Sequence, residues 1–335
     1  MKVGSIWFEA PYQVAIHEDP LPRLAPDQVL VQTSVSAISA GTELLFYRGQ
    51  VPPDMPLDAN IAALAGEVRY PLRYGYACVG RVVEIGTLVD RAWLGRSVFS
   101  FQPHATHFVA RLVELFPLPD SLSPRQAVFL PNMETAVNFL LDGAPLLGES
   151  AVVLGQGVVG LLTTALLGQY PLGSLVVFDR FDLRRDRARV LGATDVFDPA
   201  EADRAQALLG EGRADLTFEL SGQPEALNLA IELTGFAGRI IIGSWYGRKN
   251  AQVDLGSRFH RSRIRLISSQ VSTLTPALLA RWNKQRRLDE AWSLLENVPV
   301  GELITHTFSI ADAAQAYTLL DQHPGQAVQI VFNYE

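Results

Sequence analysis

The chain has 335 residues, 48% hydrophobic and 19% charged, with a formal net charge of −7. That is long enough for two cored domains and has the composition of a globular protein; an acidic balance with no basic stripe excludes nucleic acid as a partner. Cys78 is the only cysteine, which rules out an internal disulfide and fits a reducing cytoplasm. The residues after Met1 show no secretory apolar stretch, and no run of about 18 apolar residues marks a membrane span.

Residues 1–50 alternate β-like runs with turns. Residues 29–35 read as a strand after a proline-rich turn at 20–26. Residues 37–43 are expected to form a loop leading into a short helix at 44–47, with Ser39 or Thr42 as its cap. Residues 51–73, with Pro52, Pro53, Pro56 and Pro71, read as a long surface excursion. A turn and strand follow at 74–86, then strands at 98–101 and 107–115. So many short strands predict a β-rich, barrel-like unit. Residues 122–141 read as helical, opened by Ser123 and Pro124 and interrupted by Pro131.

From residue 151 the pattern changes. Strands are expected at 151–155, 174–179, 195–198, 214–221, 238–244 and 264–270, with helices between them such as 183–191 and 225–234. This alternation predicts an α/β fold, a doubly wound parallel sheet of the Rossmann type. An amphipathic helix at 276–296, a strand at 305–308, a helix capped by Ser309 and a strand at 328–332 follow. That tail is too small for a domain and is expected to rejoin the β-rich part. The expected domains are 1–135 with 273–335, and 136–272.

The stretch Gly155-Gln156-Gly157-Val158-Val159-Gly160 carries the clearest chemistry. It joins the apolar strand at 151–154 to an apolar helix, the context that makes a glycine pattern informative. Gly155 allows the tight turn, Gly157 lets a pyrophosphate approach the backbone, and Gly160 lets the helix pack on the strand. Asp179 ends the next strand, 19 positions after Gly160, near the spacing of the acid that binds an adenosine ribose. It favours NAD(H), whereas the adjacent Arg180 is the signal for NADP(H). Ser221, Gly222 and Ser244, at later strand ends, complete the expected cofactor edge. The arginine-rich run from Arg180 to Arg189 is interleaved with aspartates and reads as a solvated helix face.

End to end, the chain resembles the medium-chain dehydrogenase/reductase superfamily. Ser39-Ala40-Gly41-Thr42-Glu43 is similar to that family's Cys-Gly-Thr-Asp loop, and residues 73–86 to its Gly-His-Glu…Gly…Val…Gly segment. Residues 116–120 with 136–138 resemble its crossover, and residues 303–306 with 311–317 its return. The Ile-Ser-Ala-Gly-Thr-Glu loop and the Gly75-Tyr76 pair resemble a narrower branch, the bacteriochlorophyllide a dehydrogenase-like proteins. The resemblance implies a GroES-like catalytic domain, a small-molecule substrate and a homodimer joined through the last strands of the sheet.

The departures from the family bear on mechanism. At its three catalytic zinc positions stand Ala40, Tyr76 and Pro131, and the Glu beside the ligand His becomes Ala77. No four-cysteine lobe is possible. His104 and His107 are the only close His pair, too few ligands for a metal. No metal and no zinc are therefore expected. The resemblance implies that Thr42 touches the substrate oxygen and that Tyr76 projects where zinc sits, so both are candidate catalytic donors. Thr42 as a helix cap, Tyr76 as filler and Glu43 as a structural ion-pair partner are the plainer readings. Phe46, Tyr47, Met133, Trp245 and Tyr246 are expected to form either a broad pocket for a bulky apolar substrate or ordinary core. The expected activity is zinc-independent, NAD(H)-dependent interconversion of a secondary alcohol and a ketone. Enone or quinone reduction, and a non-catalytic dinucleotide sensor, are the alternatives.

Overall fold

The structure, a computed structural model, describes residues 2–53, 55–58 and 60–334. They fall into two compact units, Met1–Pro131 with Leu295–Glu335, and Asn132–Leu294. The chain begins with an antiparallel ribbon, β1 (Lys2–Ala10) and β2 (Gln13–Pro20). Next come β3 (Gln28–Ala37), α1 (Ala40–Tyr47), β4 (Cys78–Ile85), β5 (Ser97–Ser100), β6 (His107–Arg111), β7 (Leu115–Pro117) and α2 (Pro124–Ala127). Then α3 (Leu130–Gly143), β8 (Ser150–Leu154), α4 (Val158–Leu167), β9 (Ser174–Phe178), α5 (Asp182–Val190) and β10 (Asp195–Phe197) follow. After α6 (Ala202–Leu209) come β11 (Ala214–Glu219), α7 (Ala226–Leu233), β12 (Thr234–Ile242), β13 (Arg265–Ser268) and α8 (Lys284–Asn297). The chain ends with β14 (Ile304–Ser309), α9 (Ala313–Gln322) and β15 (Gln329–Asn333).

In the first unit β3 organises a seven-stranded sheet, ordered β14-β15-β3-β4-β5-β7, with β6 also on β3. Apolar residues of its strands, among them Val29, Val31, Cys78, Val82, Val98 and Phe108, close into one core. The carboxyl-terminal tail joins here, with Val331 opposite Ala37 in an antiparallel pair. The described residues between 51 and 73 hold little regular structure, with a 3₁₀ turn at Ala62–Leu64 and isolated bridges of Pro56 with Glu67 and of Leu72 with Phe8.

In the second unit six parallel strands run in the order β10-β9-β8-β11-β12-β13. Counted along the chain this is 3-2-1-4-5-6, the doubly wound dinucleotide-binding order. All six expected strands are present within a few residues of their predicted bounds; the inner ones, such as β8 and β9, are near-continuously apolar and stand out in sequence.

Two helices differ from expectation. The run at 122–141 is broken before Pro131 rather than by it. Gln126 Oε1 accepts from the Ser123 N–H at 3.1 Å to start α2, and Pro131 sits in the first turn of α3, where a missing N–H costs nothing. The expected helix at 276–296 is a 3₁₀ turn, Pro276–Leu278, and then α8. Asn283 restarts it, its side-chain oxygen accepting from the Arg286 N–H at 2.8 Å, which is how an Asn N-cap begins a helix.

Arg287 on α8 is almost wholly buried, 1% exposed, beside Glu134 of α3. Its Nη2 donates to Glu134 Oε1 at 2.8 Å and its Nη1 to Asn138 Oδ1 at 2.6 Å. Asn138 Nδ2 donates in turn to Asp142 and to Ser269, each at 3.0 Å. This polar network binds α8 to α3 and to the chain just after β13, which is why most of α8 belongs with the second unit.

Candidate functional site

β8 ends at Leu154 and α4 begins at Val158, so Gly155, Gln156 and Gly157 make the whole connection. Gly155 has φ +93°, and a Cβ there would stand 2.5 Å from the Ser221 Cα. Only glycine meets both conditions. At Gly160 a Cβ would lie 2.0 Å from the Gly155 carbonyl oxygen, so helix and turn touch backbone to backbone. Gly157 differs, because a Cβ there would meet nothing within 4 Å. Packing does not require that glycine. The open space lies by the first N–H groups of α4, those of Val158, Val159 and Gly160, which have no partner within a helix. An exposed backbone at a positive helix end fits a pyrophosphate.

Asp179, just after β9, is 6% exposed. Its Oδ2 accepts from the Gln156 N–H at 2.8 Å and its Oδ1 from the Phe181 N–H at 2.9 Å. The acid is thus tied to the glycine turn by the backbone. The Gln156 side chain is buried and accepts from Thr164 Oγ1 at 2.9 Å. Gln156 therefore orients Asp179 through its N–H, while its side chain turns inward. Arg180 is exposed, with its guanidinium 5.7 Å from the centre of the Phe181 ring. The arginine run is only partly a solvated face. Arg184 Nη1 lies 3.8 Å from Asp179 Oδ2, and Arg185 donates to the Asp179 carbonyl and, at 3.1 Å, to Asp198.

The ends of β11 and β12 meet the same turn. Ser244 Oγ accepts from the Gly222 N–H at 2.9 Å, and Ser221 packs on Gly155. The structure thus brings together Gly155, Asp179, Ser221, Gly222 and Ser244. It adds Glu219, which sequence reasoning passed over. This fully buried carboxylate accepts from the Ser221 N–H at 2.9 Å, from the Ser221 hydroxyl and from Tyr246 Oη. Burial, then the Glu219 charge, pushes the Tyr246 phenol well above its ordinary pKa. An acid closing a strand just before Ser-Gly was the available signal.

In the first unit α1 starts at Ala40, not at residue 44, and Thr42 lies inside its first turn rather than capping it. Ser39 holds the N-cap position, yet its side chain makes no bond to the helix. Its hydroxyl is hydrogen-bonded to Tyr76 Oη, and that phenol also donates to Thr42 Oγ1 at 3.3 Å. Three hydroxyls therefore cluster around Tyr76. Burial raises the Tyr76 pKa, opposed by its bonds to Ser39 and Thr42. The phenol keeps its proton and can donate it.

Beneath the cluster lies Glu43, fully buried. Its Oε1 accepts from the Ser39 N–H at 2.6 Å, and its Oε2 meets His104 Nε2 at 3.0 Å and the Tyr317 hydroxyl. His104 Nδ1 pairs with Ser36 Oγ at 2.6 Å, which pairs with Tyr334 Oη at 2.7 Å. With Tyr334 donating to Ser36, Ser36 to Nδ1 and Nε2–H to Glu43, one imidazole tautomer satisfies every partner. His104 is thus a structural partner of Glu43, and His107 lies on β6 with its Nδ1 3.2 Å from Thr106 Oγ1.

A catalytic zinc does not fit the residues at the family positions. Ala40, Tyr76 and Pro131 offer a methyl, a phenol and a pyrrolidine ring, not the nitrogen, sulfur or carboxylate ligands such a site takes. Among the described residues no three His, Cys, Asp or Glu gather as a metal site. The expected apolar pocket residues are largely core. Phe46, Tyr47 and Met133 are buried, with Phe46 stacked on Tyr74 at 3.9 Å and Tyr47 on Tyr317 at 5.7 Å between ring centres.

A model of the zinc-binding dehydrogenase family matches residues 158–291. Sorbitol dehydrogenase 1 of Saccharomyces cerevisiae is 25% identical over 366 aligned positions, covering 96% of each chain. The crystal structure of 2R,3R-butanediol dehydrogenase from Bacillus subtilis shares the fold, with TM-score 0.79, 20% identity and 99% of both chains covered. An Escherichia coli CFT073 alcohol dehydrogenase (rspB), complexed with NADH, superposes with TM-score 0.77 at 19% identity, again over 99% of both chains. With the glycine turn, the strand order and the β-rich first unit, these matches support the resemblance of the chain to the medium-chain dehydrogenase/reductase superfamily.

Proposed function

We propose that this protein is a zinc-independent, NAD(H)-dependent oxidoreductase that interconverts a secondary alcohol and a ketone. The observation that carries the reading is the Tyr76 phenol, held between Ser39 and Thr42, a position that the resemblance equates with a zinc ligand of the family. A bound nicotinamide dinucleotide supplies or accepts the hydride. The turn at Gly155 and Gly157 with the first N–H groups of α4 holds its pyrophosphate, and Asp179 its adenosine ribose. Thr42 and Tyr76 donate hydrogen bonds to the substrate oxygen as charge develops there, the task a metal performs elsewhere. The test is a rate panel with NADH and butane-2,3-dione, D-fructose, cyclohexanone, cyclohex-2-enone and 1,4-benzoquinone. Turnover of ketones supports the reading. Turnover confined to the enone and quinone makes this a carbon-directed reductase, and tight NADH binding with no turnover makes it a sensor.

Three expectations accompany this reading. The purified protein holds substoichiometric zinc, and chelators leave its Tm unchanged; about one tightly bound zinc per chain by elemental analysis overturns that. NADH binds more tightly than NADPH, because the buried Asp179 carboxylate repels a 2′-phosphate while Arg180 points to solvent. Titration of both reduced cofactors decides it, and equal or tighter NADPH binding gives Arg180 the controlling role. The chain is a cytoplasmic homodimer joined along β13, which is an edge strand of its sheet. Unpaired edges invite pairing, and a two-fold axis is the commonest solution. A monomeric mass at micromolar concentration excludes that assembly.

A further inference from the structure

Ser39 is the third hydroxyl of the cluster, and nothing in the alcohol–ketone reading yet uses it. An N-cap serine ordinarily accepts from an N–H of the following turn. Ser39 makes no such bond, and its hydroxyl is turned to Tyr76 Oη. Its backbone is held firmly, since its N–H donates to the buried Glu43 at 2.6 Å. Glu43 is itself fixed by His104 and Tyr317. Ser39 is partly exposed, as is Thr42, and Gly41 between them in α1 is exposed.

A phenol has one proton. When Ser39 donates to the Tyr76 oxygen, the phenol's own proton is left to point toward Thr42 or toward a substrate oxygen beside it. We infer that Ser39 is the proton-relay and positioning residue behind Tyr76, an inference that rests on the alcohol–ketone reading. In the reducing direction a bound reduced nicotinamide would supply the hydride to the carbonyl carbon, and the C=O π pair would move onto oxygen. The Tyr76 O–H bond breaks to protonate that oxygen, and the Tyr76 oxygen takes the Ser39 Oγ proton. Ser39, which is partly exposed, regains a proton from water. Alcohol oxidation runs the same transfers backwards. No phenolate has to persist, which matters because burial disfavours one at Tyr76.

The test uses Ser39→Ala and Ser39→Thr in the full-length protein. The first readout needs neither cofactor nor substrate: the ¹³C NMR signal of ζ-labelled tyrosine, with Tyr76 assigned from Tyr76→Phe. It should move in Ser39→Ala and return toward its place in Ser39→Thr. The second is NADH-dependent reduction of the best panel ketone, beginning with butane-2,3-dione. Ser39→Ala should lower kcat about tenfold or more with little change in KM, enlarge the solvent deuterium effect on kcat, and be rescued by Ser39→Thr. An unmoved Tyr76 signal overturns the inference and leaves the alcohol–ketone reading standing on its own panel. A moved signal with unchanged kcat also overturns it, leaving Ser39 as a packing partner of the ring. Absence of ketone turnover by the wild-type protein overturns the alcohol–ketone reading, and the relay with it.

Discussion

Replacing Tyr76 by Phe is expected to lower kcat by roughly 10²–10³-fold while leaving NADH affinity unchanged. The change removes one hydroxyl and keeps the ring, so its edge contact with Tyr74, at 6.1 Å between centres, is retained. Loss of turnover would then reflect the missing donor and not collapsed packing. A donor matters here because hydride addition leaves negative charge on the carbonyl oxygen, and the aligned positions hold no zinc-ligand set to neutralise it. Thr42→Val should act in the same direction, since its hydroxyl is the phenol's other partner at 3.3 Å. Steady-state kcat and KM with the best panel ketone, plus NADH titration, make the comparison. Wild-type turnover in Tyr76→Phe would reduce the phenol to filler. Unimpaired turnover in both variants would point to hydride transfer to carbon, as in enone reduction.

Arg287→Leu is expected to destabilise the protein by about 3–5 kcal/mol, the usual consequence of leaving one member of a buried ion pair alone. Glu134 is nearly as buried as its partner, with side chains 5% and 1% exposed. Burial already pushes the Glu134 carboxyl above its ordinary pKa, and Arg287 is the influence that restrains it. Removing the guanidinium lifts that pKa further. A carboxyl raised in the folded state favours folding when protonated, and this advantage disappears as pH climbs through the folded-state value. The deficit of Arg287→Leu should therefore be smaller at about pH 5 than at about pH 8. Thermal unfolding at both values checks sign and size, with a Tm loss on the order of 10 °C at the higher pH. Glu134→Leu combined with Arg287→Leu should recover part of the loss, because partners in one network are not additive. A single-variant deficit under about 1 kcal/mol would place this pair among those that contribute little.

The sequence by itself determined the doubly wound sheet and the location of the glycine turn. The inner strands β8 and β9 are near-continuous apolar runs, and Gly155 and Gly160 have local stereochemical reasons. Gly155 and Gly160 could be assigned because their constraints, a positive φ and a backbone contact with the turn itself, arise close to the turn.

Only the tertiary structure decided what polar side chains do with one another. Ser39 or Thr42 was the expected helix cap, yet neither side chain caps: Thr42 lies inside α1, and both hydroxyls meet Tyr76, 34 positions beyond Thr42. Glu43 finds His104 and Tyr317 at separations of 61 and 274 residues, which no local pattern encodes. Arg287 lies in a stretch that read only as an amphipathic helix, and the fold buries it against Glu134. Gln156 stood in the cofactor motif, but its side chain fills the space under α4 and bonds Thr164. Periodicity registers which face of an element is apolar. A buried hydrogen bond is fixed only when two distant elements bring a donor and an acceptor together away from water.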